Sequence, residues 1–179
     1  MRGFYPGRFQ PFHGGHRRFV ERIADEVDEV VVGVGSAQAS HTGRNPFTAG
    51  ERVTMAHRAL ADLETTTYVV SIEDVGQHAL WPAHVRTQCP RFEVVYTNNP
   101  MVERVCEEDG LDVSGVELID RDRYNGTDVR RRMVEGDTWR DRVPEATVDV
   151  VEEVDGVKRL RRVVEHGQHS VDGSGDDSH

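Results

Sequence analysis

The sequence is almost without lysine. Lys158 stands alone among 22 basic residues, against 32 acidic ones, and the formal net charge is −10. A chain so poor in basic charge is excluded as a general nucleic-acid binder, which needs a cationic face to displace phosphate counterions. An excess of carboxylate with hardly any lysine suits a very salty solvent, where ions screen self-repulsion, so a halophilic protein is expected. Cysteine is scarce too. Cys89 and Cys106 have no metal-like spacing, and two free thiols are expected. Neither they nor the scattered histidines form a zinc pattern. No apolar run approaches the ~20 residues that cross a bilayer. Pro6 and Gly7 interrupt the N-terminus too early for the apolar core of a signal peptide. No Gly-x-x-x-x-Gly-Lys phosphate loop occurs, which argues against an attached kinase. A soluble, cytoplasmic protein with no nucleic-acid or membrane partner is the expectation.

What is present is a regular alternation. With 179 residues the chain suits one domain. Strands are predicted at 1–5, 29–35, 67–72, 92–96 and 116–119, and the valine run after Glu29 reads as buried parallel sheet. Phe19, Val20, Ile23, Ala24 and Val27 recur at helical spacing. Thr48 and Glu51 have the form of a capping box opening a second helix. Further helices are predicted near Leu80, with Pro82 in the first turn, and near Pro100, with Asn99 as cap. After Tyr124 the pattern turns helical, with one helix opening at Pro144 and another after Gly156. Together these predict an α/β fold, a Rossmann-like doubly wound parallel sheet of about five strands with C-terminal helices at about 127–166. One domain is expected over 1–166, followed by a disordered acidic tail at 167–179.

The most informative stretch is Gly7-Arg8-Phe9-Gln10-Pro11-Phe12-His13-Gly14-Gly15-His16. It joins the first strand to the first helix at the carboxyl edge of the sheet, where doubly wound folds bind ligands. Gly14 and Gly15 allow a backbone to approach a phosphate. His16 falls in the first helical turn, where free N–H groups and the helix dipole favour anions. His13 lies three residues earlier, within reach of the same phosphate, and Arg8 adds a permanent charge. Two further segments accompany it: Gly35 to Arg52, containing Ser36-Ala37-Gln38-Ala39-Ser40-His41-Thr42 and Asn45-Pro46-Phe47-Thr48, and Tyr124-Asn125-Gly126-Thr127-Asp128-Val129-Arg130. Thr127 is expected as the N-cap of a helix carrying Arg130 toward the phosphates. Arg131 and Arg132 lie about 100° further round per residue and face elsewhere.

The His13-Gly14-Gly15-His16 pattern resembles the signature of the nucleotidylyltransferase superfamily. The longer Gly-Arg-Phe-Gln-Pro-Phe-His form, with the Gly35–Arg52 segment, resembles the archaeal-type nicotinamide-nucleotide adenylyltransferases. Tyr124–Arg130 resembles the superfamily's second signature, Ile-Ser-x-Thr-x-x-Arg, with Asn125 at the usual serine. The resemblance implies transfer of the adenylyl group of ATP to nicotinamide mononucleotide (NMN), giving NAD+ and pyrophosphate. It implies catalytic roles for His16, His13, Arg8 and Arg130. ATP binding would involve these together with Gly7, Phe9, Gly15, Tyr124, Gly126 and Thr127. Gln38, Phe47, Arg52, Asp74, Trp81 and Asn99 would bind NMN, with Trp81 stacking on the nicotinamide ring. Mg2+ is expected to ride on the ATP phosphates, with no metal ligand from the protein. A homo-oligomer, such as a hexamer, is also implied. Two alternatives stay open: another adenylyl- or cytidylyltransferase of the superfamily, and a non-catalytic NAD sensor.

Overall fold

The computed structural model describes residues 1–115, 120 and 122–172. Five strands form one sheet in the order β3-β2-β1-β4-β5. They are β1 (Arg2–Gly7), β2 (Glu29–Val34), β3 (Thr66–Ser71), β4 (Val94–Tyr96) and β5 (Asp112–Ser114). Every pairing is parallel, with Gly7 beside Val34 and Val34 beside Ser71 at the carboxyl ends. The intervening helices are α1 (Gly14–Ala24), α2 (Ala49–Ala59), α3 (Trp81–Gln88) and α4 (Pro100–Glu108). They are followed by α5 (Gly126–Glu135), α6 (Glu145–Glu153) and α7 (Gly156–Asp172).

The valine run of β2 is buried because helices cover both faces of the sheet. One core joins Val30, Val32 and Val34 to Phe19, Ile23, Met55, Val129 and Leu160. The other joins Phe4 and Val31 to Ile72, Val85, Val95 and Cys106. Strand order reverses at β1, whose neighbours are β2 and β4, so their carboxyl ends splay around a crevice that opens after Gly7. A doubly wound fold places its ligands there.

Local chemistry sets the helix starts. Thr48 and Glu51 form the predicted reciprocal cap of α2, and Asn99 caps α4. At α5 the cap is Asn125 rather than Thr127: its side-chain oxygen accepts from the Thr127 and Asp128 amides. An asparagine carbonyl thus does what a serine hydroxyl does at an N-cap. The predicted strand at 116–119 lies outside the described residues; the fifth strand is Asp112–Ser114. Helix α7 continues to Asp172, past the boundary expected at 166, and 173–179 lie outside the described residues. Both cysteines are free thiols. No described helix is long and apolar enough to cross a membrane.

Candidate active site

The signature loop leaves β1 at Gly7 and enters α1 at His13. Phe9 adopts a left-handed backbone, φ 51°, that a bulky residue holds only where its surroundings enforce it. The enforcing contacts are visible. The Phe9 ring is 1% exposed and packs against Phe12 and edge-on to His16. A side chain so enclosed belongs to the core, so the ATP contact expected of Phe9 falls to its backbone.

His13 and His16 cap the helix for each other. The His16 amide donates to His13 Nδ1 at 3.3 Å, and the His13 amide donates to His16 Nδ1 at 3.1 Å. Their rings stack with centroids 3.5 Å apart. Because both Nδ1 atoms accept, each neutral ring carries its proton on Nε2, directed away from the backbone. Burial, helped by nearby Arg130 and opposed by a backbone hydrogen bond, pushes His13 down to about 4. Burial, then His13, holds His16 well below the ordinary imidazole range. At neutral pH the two rings are a pair of neutral N–H donors.

This pair makes stability acid-sensitive. A histidine whose folded pKa is depressed is protonated first in the unfolded chain, so its contribution is complete above the unfolded value and falls as pH drops toward the folded one. Between pH 7 and 4.5 the protein is expected to lose about 2–3 kcal/mol through His13 alone. His13→Asn keeps a capping acceptor and cannot titrate. Urea midpoints at the two pH values should show the slope flattening in that variant, and an unchanged slope would refute the assignment.

Three arginines gather around this turn. Arg130 Nη1 donates to the Gln10 carbonyl at 2.7 Å, and its Nη2 to Thr127 Oγ1 at 3.3 Å. The fit at Gly126 is close, since a Cβ would lie 3.3 Å from Arg130 Nη1 and 3.4 Å from the Gln10 carbonyl oxygen. Burial and the like charges of Arg8 and Arg44 depress the Arg130 guanidinium. Burial and Arg44 depress Arg8, with Asp74 opposing. Arg17, Arg58, Arg131, Arg132 and Arg159 are each ion-paired with a carboxylate; among the described residues Arg8, Arg44 and Arg130 are not. Cations that repel one another and form no salt bridge of their own make a receptor for a polyanion. Arg44 is the site residue that the sequence reading missed. Its signal was a lone basic residue in a polar loop whose neighbouring positions had already been singled out.

Beside this cluster lies a cavity of about 670 Å³. Gly7, Arg8, Arg44, Asp74, Trp81 and Asn99 all line it. Trp81 rests one side against Phe4, 6.2 Å between centroids. Asn99 Oδ1 is occupied as the α4 cap, accepting from Met101 N, which leaves its amide nitrogen for other partners. Gln38 reaches the site through Asp74, to which it is doubly hydrogen-bonded.

Three further residues singled out from the sequence have structural partners of their own. Arg52 is fully buried, and its guanidinium donates to the carbonyls of Thr48, Arg8, Gly35 and Ser36 at 2.8–3.2 Å. It organises the loops that bear the site. Phe47 is also fully buried, and its backbone N–H and carbonyl pair with the Gln10 side chain at 3.0 Å each. Tyr124 fills the space left by two glycines: a Cβ on Gly14 or Gly15 would come within 2.5 or 2.8 Å of it. The Arg18 and Arg123 guanidiniums flank its ring. The clearance at Gly14 and Gly15 therefore admits the Tyr124 side chain.

The three sequence segments are thus one structure. Gln10 joins the first to the second, Arg52 ties the second to β1, and Arg130 ties the third to the first. Among the described residues no cluster of three or more His, Cys, Asp or Glu side chains is placed to hold a metal ion. The donors present are mainly cationic or neutral N–H groups, so they suit phosphate rather than a bare cation.

Comparison with known proteins agrees with this geometry. The profile of the family described as Cytidylyltransferase-like matches residues 4–132. A nicotinamide-nucleotide adenylyltransferase of Haloarcula marismortui is 53% identical over 163 residues, 91% of this chain and 87% of that protein. The protein of that name from Halorubrum lacusprofundi is 54% identical over 92% of this chain and 94% of its own. That of Methanoculleus marisnigri is 53% identical over 90% and 96%. Among solved structures, a bifunctional NMN adenylyltransferase/ADP ribose pyrophosphatase of Francisella tularensis, complexed with AMP and a manganese ion, superposes with a TM-score of 0.76. Identity there is 19%, covering 99% of this chain but only 57% of the longer one, so it speaks for the fold alone. With the HxGH turn, the cationic cluster and relatives above 50% identity in agreement, the chain belongs to the nicotinamide-nucleotide adenylyltransferases of the cytidylyltransferase-like family.

Proposed function

We propose that this enzyme joins NMN to the adenylyl group of ATP, releasing pyrophosphate and forming NAD+. The observation that carries the reading is the set of unpaired cations, Arg8, Arg44 and Arg130, beside two Nε2–H donors and a cavity walled by Trp81. The nucleophile is the 5′-phosphate of NMN, which attacks the α-phosphorus of ATP in line with departing pyrophosphate. That phosphate is already ionised, so catalysis needs no strong base. It needs alignment and charge stabilisation.

His16 and His13 donate Nε2–H to the oxygens that gain charge at the α-phosphorus. Arg8, Arg44 and Arg130 hold the triphosphate, and Gly7, Gly15, Gly126 and Thr127 shape the turns around it. Trp81 offers its face to the cationic nicotinamide ring, with Gln38, Asp74 and Asn99 supplying polar contacts. Mg2+ carried by the ATP phosphates would neutralise part of their charge and would require few protein ligands. Rapid NAD+ formation from ATP, Mg2+ and NMN in high salt is the expected result. Folded wild-type protein that forms no dinucleotide would overturn the assignment.

A further inference from the structure

Among the described residues that line the cavity, Asp74 is the only carboxylate. It follows the end of β3 and lines the cavity together with Trp81. Its geometry is fixed from one side. Gln38 Nε2 donates to Asp74 Oδ2 at 2.8 Å, and Gln38 Oε1 accepts from the Asp74 amide at 3.0 Å. A second tie between the same loops runs from the Ala37 amide to the Ile72 carbonyl at 3.0 Å. The clasp occupies one carboxylate oxygen and leaves Oδ1 as an acceptor that can offer no proton.

We propose that Asp74, oriented by Gln38, selects the carboxamide form of the pyridine mononucleotide over its carboxylate form. The inference rests on the reaction proposed above. A carboxamide presents an N–H to the free Asp74 oxygen, and the ring beside it carries positive charge. Both interactions are attractive. The deamidated substrate presents a carboxylate in the same place: it has no proton to donate, and two anions are brought together. Arg8 and Arg44 do not discriminate, because the phosphate that they would meet is common to both substrates.

Asp74→Asn is nearly isosteric. Its carbonyl oxygen can still accept from Gln38, while its NH2 turns to the cavity as a donor. Hydrogen bonds to charged groups are strong enough that kcat/KM for the carboxamide, divided by that for the acid, should fall about 10- to 100-fold. The value for the acid should itself rise. Gln38→Leu leaves Asp74 in place but unclasped. It should blunt the same ratio more weakly, by raising KM for the carboxamide substrate with kcat held.

Both positions are exposed, so folding is not at stake. Steady-state rates with each mononucleotide, at saturating ATP and Mg2+, decide the matter. Equal losses for both substrates in Asp74→Asn would assign Asp74 to a shared group such as the ribose and overturn selection. A wild-type enzyme inactive with both would overturn the underlying reaction as well.

Discussion

His16→Ala is expected to lower kcat about 10²–10³-fold, the usual cost of losing one well-placed donor to a developing oxyanion. The KM for ATP should change little. The reason lies in the protonation state. Burial keeps His16 neutral, and its Nδ1 is engaged by the His13 amide. Its Nε2–H therefore gains most where negative charge grows in the transition state, rather than from the resting triphosphate. The ring is not the base, so turnover should show no His16 titration between pH 6 and 8. The variant also loses half of the reciprocal cap, a stability cost of about 1 kcal/mol. That loss provides a control. His16→Gln restores an acceptor for the His13 amide, as glutamine does at this position in other caps, but puts its NH2 elsewhere. Stability should return without the turnover. Recovery of both would reduce His16 to a capping residue.

Much of this arrangement was legible in the sequence because local rules and tertiary structure agreed. The capping box at Thr48, the proline-opened helices at Trp81 and Pro100, and the valine run of β2 need only their neighbours to be read. The signature turn was legible for the same reason, since His13 and His16 lie one helical turn apart. What escaped depends on contacts between distant segments. Nothing local distinguishes Arg52, which spends its donors on carbonyls of its own chain, from Arg44, which has no carboxylate partner. Both sit in one polar segment, and only the fold assigns one inward and one to the cavity. Phe9, Phe47 and Tyr124 are a second case. Motif residues near a ligand site read as ligand contacts, and nothing local shows that Phe9 and Phe47 are enclosed in the core or that Tyr124 fills the space beside Gly14 and Gly15. Arg159 was invisible for the opposite reason: it belongs to no motif. From α7 it forms a bidentate pair with Glu51 at 2.7 and 2.9 Å and donates to the Pro46 carbonyl, so the last helix steadies the loop bearing Arg44.

Arg52→Met is expected to cost about 3–5 kcal/mol of stability, the range for stripping a buried charged hydrogen-bonding centre of one partner. The guanidinium serves four carbonyls at once, on Arg8, Gly35, Ser36 and Thr48. Methionine fills part of the volume and satisfies none of them. Burial lowers Arg52 to about 10, which still leaves it charged at neutral pH, so the native state contains a buried cation compensated by backbone dipoles. Arg52→Lys retains charge but concentrates three donors at one point and cannot span the four acceptors. It should recover less than half of the loss. Urea denaturation in high salt reads both variants. Kinetics separates this role from the substrate contact expected at first. A residue touching NMN would raise KM for NMN at unchanged stability. A residue fastening β1 and β2 to α2 lowers stability first and impairs ATP as well as NMN, because the Arg8 backbone loses its anchor. A stable Arg52→Met enzyme with only a raised KM for NMN would show that the buried position is not the one from which Arg52 acts.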